Sequence, residues 1–451
     1  MRPFLERLFL ALLLSAAASC HDQPTSVHVA TTARILQTLS LSVGQSADIT
    51  PAGQAAYDSL PALSSSAVTF LGMSRVPLAT ADGPAGQEQV FHFLAMAPGQ
   101  AVATIRTTDG IPAVQDTFSV EAAVPHGAFA QVNAGLFFNT CAVTSRGTGY
   151  CWGRLTWGSR FTDAFGDYAE PIDDIPMPVP GGLTFAAISG GGMHTCGVTP
   201  DGAAYCWGAD SNGQLGDGSA TSSSVPVAVT GGLRFKAVSA GGYHTCGLTT
   251  GGAAYCWGAN GDGQLGSGSL VTSSSPVAVW GGLTFAAVGA GYQHSCGLTT
   301  GGAAYCWGYN EDGELGNGDT TSSTVPVAVA GGLSFVALSA GGSHACGLTN
   351  AGRPYCWGRN FAGALGNGTT TTSGTPVAVS GGLTFAAISA GDVITCGVTT
   401  SGAAYCWGSD GYGALGNGTT ASMVDPNPTP VPVSGGLTFM TVSAGYLHAC
   451  G

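Results

Sequence analysis

The stretch Gly231-Gly232-Leu233-Arg234-Phe235-Lys236-Ala237-Val238-Ser239-Ala240-Gly241-Gly242-Tyr243-His244-Thr245-Cys246-Gly247-Leu248-Thr249-Thr250-Gly251-Gly252-Ala253-Ala254-Tyr255-Cys256-Trp257-Gly258 is one copy of a unit that fills most of the chain. Gln264-Leu265-Gly266 and Pro276-Val277-Ala278-Val279 complete it. Four runs in it read as strands: Leu-x-Phe-x-Ala-Val with period-2 alternation, His-x-Cys-Gly-Leu-Thr, Ala-Ala-Tyr-Cys-Trp-Gly and Pro-Val-Ala-Val, with turn-forming Gly, Asn, Asp, Ser or Thr between them. The first cysteine recurs at 196, 246, 296, 346 and 396, a strict period of 50. Cys141 and Cys450 fall outside that period because Arg154 to Pro178 lengthens the first unit and Ser422 to Pro432 the last. Four strands per roughly 50 residues, repeated, is the arithmetic of a β-propeller. No unit carries the 3.6-residue pattern that a helical solenoid needs.

First strands begin at Phe129, Leu183, Leu233, Leu283, Leu333, Leu383 and Leu437, and second strands carry Cys141, Cys196, Cys246, Cys296, Cys346, Cys396 and Cys450. Third strands, marked by Trp152, Trp207, Trp257, Trp307, Trp357 and Trp407, number six, and so do the fourth strands. The expectation is therefore an all-β chain with a seven-bladed propeller whose last blade is incomplete, and a sequence shortened by roughly 30 residues after Gly451. A six-bladed ring with two spare strands is the alternative.

The motifs Ala-Gly-Gly-Tyr-His-Thr-Cys-Gly-Leu-Thr, Tyr-Cys-Trp-Gly and Asp-Gly-Gln-Leu-Gly, recurring in fixed order over residues 127–451, resemble the regulator of chromosome condensation repeat family. The resemblance implies a seven-bladed propeller. It also brings two activities of that family into view: guanine-nucleotide exchange on a small GTPase, and, for a secreted member, inhibition of β-lactamases. The cysteine after His-Thr is a departure, since intracellular members carry an aliphatic residue there.

Fourteen cysteines are present. Twelve form pairs ten apart: Cys141/Cys151, Cys196/Cys206, Cys246/Cys256, Cys296/Cys306, Cys346/Cys356 and Cys396/Cys406. Between Cys196 and Cys206 lies Thr199-Pro200-Asp201-Gly202, which suits a three-residue hairpin loop with Gly202 left-handed. Counting back from that loop sets Cys196 opposite Cys206, within disulfide reach. Each pair is thus expected to staple its own hairpin, and Cys450 is left over, its partner expected about ten residues further on. Zinc is the weaker reading, because no short C-x-x-C spacing occurs.

Charged residues are only 8% of the chain, against about 25% in an average domain, and glycine is 73 of 451. So little charge excludes long solvent-exposed helices and coiled coils. Lys236 is the only lysine and the net charge is −13, which excludes a nucleic-acid surface.

At the N-terminus, Arg2 and Arg7 precede an apolar run, Leu8 to Ala18, and then Ser19-Cys20, the pattern of a secretory signal. Leu14 to Cys20 resembles a bacterial lipoprotein signal, in which the cysteine, here Cys20, becomes the lipidated first residue. Residues 1–20 are read as signal and 21–33 as tether. Residues 34–122 lack the repeat; Leu39 to Gln45, Val90 to Gly99, Ala101 to Ile105 and Asp116 to Val120 read as strands of a small sandwich that looks like bacterial immunoglobulin-like surface modules. Residues 127–451 are the propeller.

No nucleophile elbow, metalloprotease motif or phosphate loop occurs. Gly261 to Gly266 matches G-x-G-x-x-G, but a Ser/Thr-rich loop follows where a dinucleotide site needs a helix. Asp210-Ser211-Asn212-Gly213 lacks the ligand spacing of a calcium loop. His194, His244, His294, His344 and His448 recur at one position, where Asn139 and Ile394 stand in other units; a repeat-wide role is architectural. No cofactor or metal is expected. Recognition is sought where the units differ: before the histidine (Met193, Tyr243, Gln293, Ser343, Val393, Leu447), after Trp-Gly (Asp210, Asn260, Tyr309, Arg359, Phe361, Tyr412), and at the loop tryptophans Trp157 and Trp280. The reading is an exported, lipid-anchored envelope protein, in contact with membrane only through its anchor. Its propeller is a non-enzymatic binder of a protein or glycan.

Overall fold

The computed structural model describes residues 129–154 apart from 138, residues 172–419 and 426–451, and the strands of the segment 26–121. The N-terminal segment contributes two four-stranded sheets, in the orders Ser26–Thr31, Ser46–Pro51, Gln87–Ala95, Val68–Pro77 and Thr38–Ser42, Pro112–Glu121, Gly99–Arg106, Ala62–Leu63. The strands expected near Leu39, Val90, Ala101 and Asp116 are present. Ser26–Thr31 is a further strand, inside the stretch read as tether, because it pairs in parallel with Ser46–Pro51. Signal and lipidation at Cys20 lie outside the described residues.

The repeats form antiparallel blades with strands in sequence order. The third blade is typical: Phe235–Ala240, His244–Thr249, Ala254–Gly258 and Ser273–Ala278. Among the described residues there are six four-stranded blades, not the seven expected. Ser443–Ala444 pairs only with Ala449–Cys450, as a two-stranded sheet. The reason lies in the strand inventory: first and second strands occur once more often than third and fourth ones, and a blade needs all four. The two-stranded sheet still takes a place in the ring, since Ala444 N donates to Ser389 Oγ of the sixth blade (3.0 Å) and Ala134 N of the first donates to Ser443 Oγ (2.9 Å).

Disulfides join Cys141–Cys151, Cys196–Cys206, Cys246–Cys256, Cys296–Cys306, Cys346–Cys356 and Cys396–Cys406, each between directly opposed residues with Cα atoms 4.0–4.1 Å apart. Gly202 has φ +86° in the hairpin loop, as the turn requires. Cys450 is disulfide-bonded as well, and so is not left over.

The blades stick together through their cystines and aromatics. Cys196, Cys206 and Leu215 of one blade form a single buried cluster with Phe235, Ala240 and Trp257 of the next, and the pattern repeats. Trp257 Nε1 donates to Gln214 O across this seam (2.9 Å), so the one polar atom of a fully buried ring is satisfied. The tryptophans thus pack between blades rather than inside their own. Gly247 follows from the same packing: a Cβ there would lie 2.5 Å from Phe235 Cε1.

Candidate functional site

The second and third strands of a blade are antiparallel, with His244 opposite Gly258. The turn before His244 and the loop after Gly258 therefore leave from the same strand ends, and Ala259 N donates to Tyr243 O there (2.9 Å). Tyr309 N to Gln293 O (3.0 Å) and Arg359 N to Ser343 O (2.9 Å) repeat the tie. The two sets of variable positions, separate in sequence, share one face.

In the turns, four aromatic rings meet. Tyr243 and Tyr292 have centroids 5.5 Å apart and hydroxyls 3.3 Å apart; Phe137 lies 5.8 Å from Tyr292 and 6.3 Å from Tyr446. Phe137 belongs to the first blade and Tyr292 to the fourth, so the rings meet across the centre of the propeller. Burial, with Tyr243 and Asp392 adding to it, pushes the Tyr292 phenol well above its ordinary range. Burial raises Asp392 to about 6, and Arg359 opposes that rise.

Phe137, Tyr292 and Tyr446 were not singled out from sequence. The signal was there, two positions before the histidine, where Gly192, Gly242 and Gly342 alternate with Tyr292, Asp392 and Tyr446. A Cβ at Gly242 would meet the Tyr292 ring at 2.6 Å and one at Gly192 would meet Phe137 at 3.1 Å. Each glycine makes room for a large neighbour.

In the outer loops, Arg359 lies 4.5 Å over the Phe361 ring, and its Nε is 3.6 Å from Asp312 Oδ2. Tyr309 donates to Glu311 Oε2 (2.8 Å), an acceptor that pushes the phenol up to about 12. Gln293 Nε2 donates to Asp262 Oδ2 (3.1 Å). Phe361 is 55% exposed and Tyr412, at φ +60°, 76% exposed. Met193 sits half-buried in the turn before His194.

Other candidates fall elsewhere. Trp280 is exposed at the opposite strand ends, where Val279 N donates to Ala254 O. Trp157 lies outside the described residues. Asp210 and Asn260 are buried framework: their Oδ1 atoms accept from Leu215 N (2.8 Å) and Leu265 N (3.0 Å), and Asn260 Nδ2 donates to Ser269 O and Val271 O. Among the described residues, no three metal-ligating side chains gather.

The histidines form a ladder between blades. His194 Nε2 is 2.7 Å from Thr245 Oγ1, His244 Nε2 2.8 Å from Ser295 Oγ and His344 Nε2 2.7 Å from Thr395 Oγ1. Thr245 donates its proton to Gln214 O (2.9 Å), which assigns the Nε2–H tautomer to His194. Burial holds the imidazoles uncharged, at about 3 for His194, His244 and His294 and about 4 for His344. His294 faces Ala345 instead of a hydroxyl, and its Nε2 has no partner.

The family model for the RCC1-like domain matches residues 110–450. No curated protein matches the chain. Among solved structures, human WBSCR16 is similar at 21% identity and TM-score 0.62, over 76% of this chain and 90% of that one. Yeast RCC1 (Prp20), in a structure with Kap60, is similar at 19% identity and TM-score 0.61, over 71% and 79%. Prp20p from Saccharomyces cerevisiae in a second structure gives 18% and 0.58, over 70% and 80%. At these identities the likeness is one of fold.

Proposed function

The chain belongs to the RCC1-like domain family, and on that premise we propose that its propeller is a non-enzymatic module that binds a protein partner through the strand ends carrying Tyr309, Arg359, Phe361 and Tyr412. One observation carries this reading: two sets of positions at which the units differ, distant in sequence, leave from the same strand ends, while the repeated cysteines and the tryptophans from Trp207 to Trp407 are buried. Aromatic side chains and arginine are the types that dominate interface energetics. The related yeast RCC1 is bound to Kap60, and Prp20p has binding properties toward Gsp1p and histones. Six hairpin disulfides favour an oxidising compartment, and with the signal-like N-terminus they support an exported protein. Inhibition of a secreted enzyme would be one outcome of the same binding act.

The test is crosslinked capture from envelope fractions with the full chain, its Phe361→Ala/Tyr412→Ala variant and a Trp280→Ala control. Loss with the double variant and retention with the control support this face. Equal capture by all three excludes it.

A further inference from the structure

Of the six described cationic residues of the propeller, four lie at one set of strand ends, where Asp201 faces Arg234, and Arg154 and Arg359 lie at the other. Arg146, Arg234, Lys236 and Arg353 lie in or beside the hairpin turns at one set of strand ends: Thr144 and Thr148 bracket Arg146, Thr349 N donates to Arg353 O, and Phe235, between Arg234 and Lys236, donates its N–H to Gly202 O. Asp262, Glu311, Asp312 and Asp392 belong to the loops and turns at the other set, where Arg359 is their one described cationic neighbour. These carboxylates are short of positive charge. Burial and the nearby Glu311 push Asp262 above the usual carboxylate range.

Arg359 shows what chemistry the face accepts. Its guanidinium sits over an aromatic ring and beside a carboxylate, an arrangement that recognises a cation. The pair is half-exposed, with side chains 49% and 39% accessible, so it is weak and readily exchanged.

An independent feature marks the same place. Directly beneath Tyr309, Asp312, Arg359 and Phe361 runs the seam between the fourth and fifth blades, where the framework gives up its bonds. Ser189, Ser239, Ser339 and Ser389 each accept from a backbone N–H of the next blade, but Gly289 offers no such acceptor to Ala340. Ala345 removes the hydroxyl that His294 needs. Glu314 replaces the Gln found at 214 and 264. Local rules are broken together where function is placed.

We propose that the face above this seam binds an arginine-bearing segment of a protein partner, with an incoming guanidinium taking the place of Arg359 over Phe361. This rests on the binding-module reading above and names the chemistry of its ligand.

The probe is a fluorescent octa-arginine peptide titrated with the full chain, at about 50 mM and about 300 mM salt. Expected are saturable binding that weakens with salt, a loss of about five-fold or more in Asp262→Asn/Glu311→Gln and in Phe361→Ala, and no change in Asp201→Asn, which neutralises a carboxylate at the other strand ends. Arg359→Ala is expected to bind more tightly, a gain that misfolding cannot mimic. Equal weakening by Asp201→Asn and Asp262→Asn/Glu311→Gln, weaker binding by Arg359→Ala, or no binding at low salt would overturn the proposal. If envelope capture depends on Phe361 and Tyr412 but not on salt or the carboxylates, the module reading stands and the cationic ligand falls.

Discussion

His448 Nε2 lies 2.9 Å from Thr140 Oγ1, a residue 308 positions earlier. It is the same bond that His194 makes to Thr245 and His344 to Thr395. The two-stranded sheet is therefore keyed onto the first blade as any blade is keyed onto the next. Thr140→Val should leave a buried imidazole nitrogen unpaired and lower stability by about 1–3 kcal/mol, read from urea unfolding. Unchanged stability would mean that this contact contributes nothing to closing the ring.

The seam between the fourth and fifth blades is open to repair. Ala345→Thr supplies a hydroxyl to His294, and Gly289→Ser supplies an acceptor to Ala340 N. Both substitutions copy what equivalent positions carry, so space is available; a Cβ at Gly289 meets Ala340 no closer than 3.4 Å. Each should add about 1 kcal/mol, and thermal unfolding should show the two gains adding. If the seam serves binding, the repaired chain pays in affinity for octa-arginine.

Glu314 gives the protein a pH signature. Burial raises its carboxyl from 4.5 to about 7. Between those values the folded chain holds a proton that the unfolded chain has released, so stability falls as pH rises through that window and the deficit is complete above it. Glu314→Gln should match wild type near about pH 4 and exceed it near about pH 8, by about 3 kcal/mol at most. The depressed histidines act oppositely, losing stability as pH falls below 6.5, so the difference between the two proteins is the quantity to follow.

Replacing Cys246 and Cys256 by Ala should cost about 2–3 kcal/mol in the chain-entropy account of a ten-residue loop. Non-reducing peptide mapping of the native chain should recover each of the six ten-residue bridges within a single hairpin peptide. A bridge between blades would refute the register described above.

The repeat carried most of this fold in plain view. Alternation at Phe235–Ala240 and the spacing of Cys196 and Cys206 depend only on neighbours within one unit, so sequence order suffices to read them. What it hid depends on who stands beside whom in the ring. Tyr292 meets Phe137 across the centre, and the residue inserted before Asn139 shifts Phe137 out of alignment with its counterparts. Arg359 finds Asp312 in the preceding blade. Asp210 and Asn260 varied and so resembled recognition residues, yet they vary between two side chains that can both accept the Leu215 or Leu265 N–H. The blade count failed for a simpler reason: strands can be counted by motif, but a sheet exists only where all its members pair.

Because every hairpin bridge joins residues ten apart on adjacent strands, correct cysteine pairing is a local kinetic event. In an oxidising compartment the two thiols of each hairpin meet long before those of another blade can compete. Oxidation can then proceed hairpin by hairpin, with little need for an isomerase to correct mispaired cysteines. Six nearly identical repeats, which would otherwise offer many equivalent wrong partners, are sorted by proximity in time.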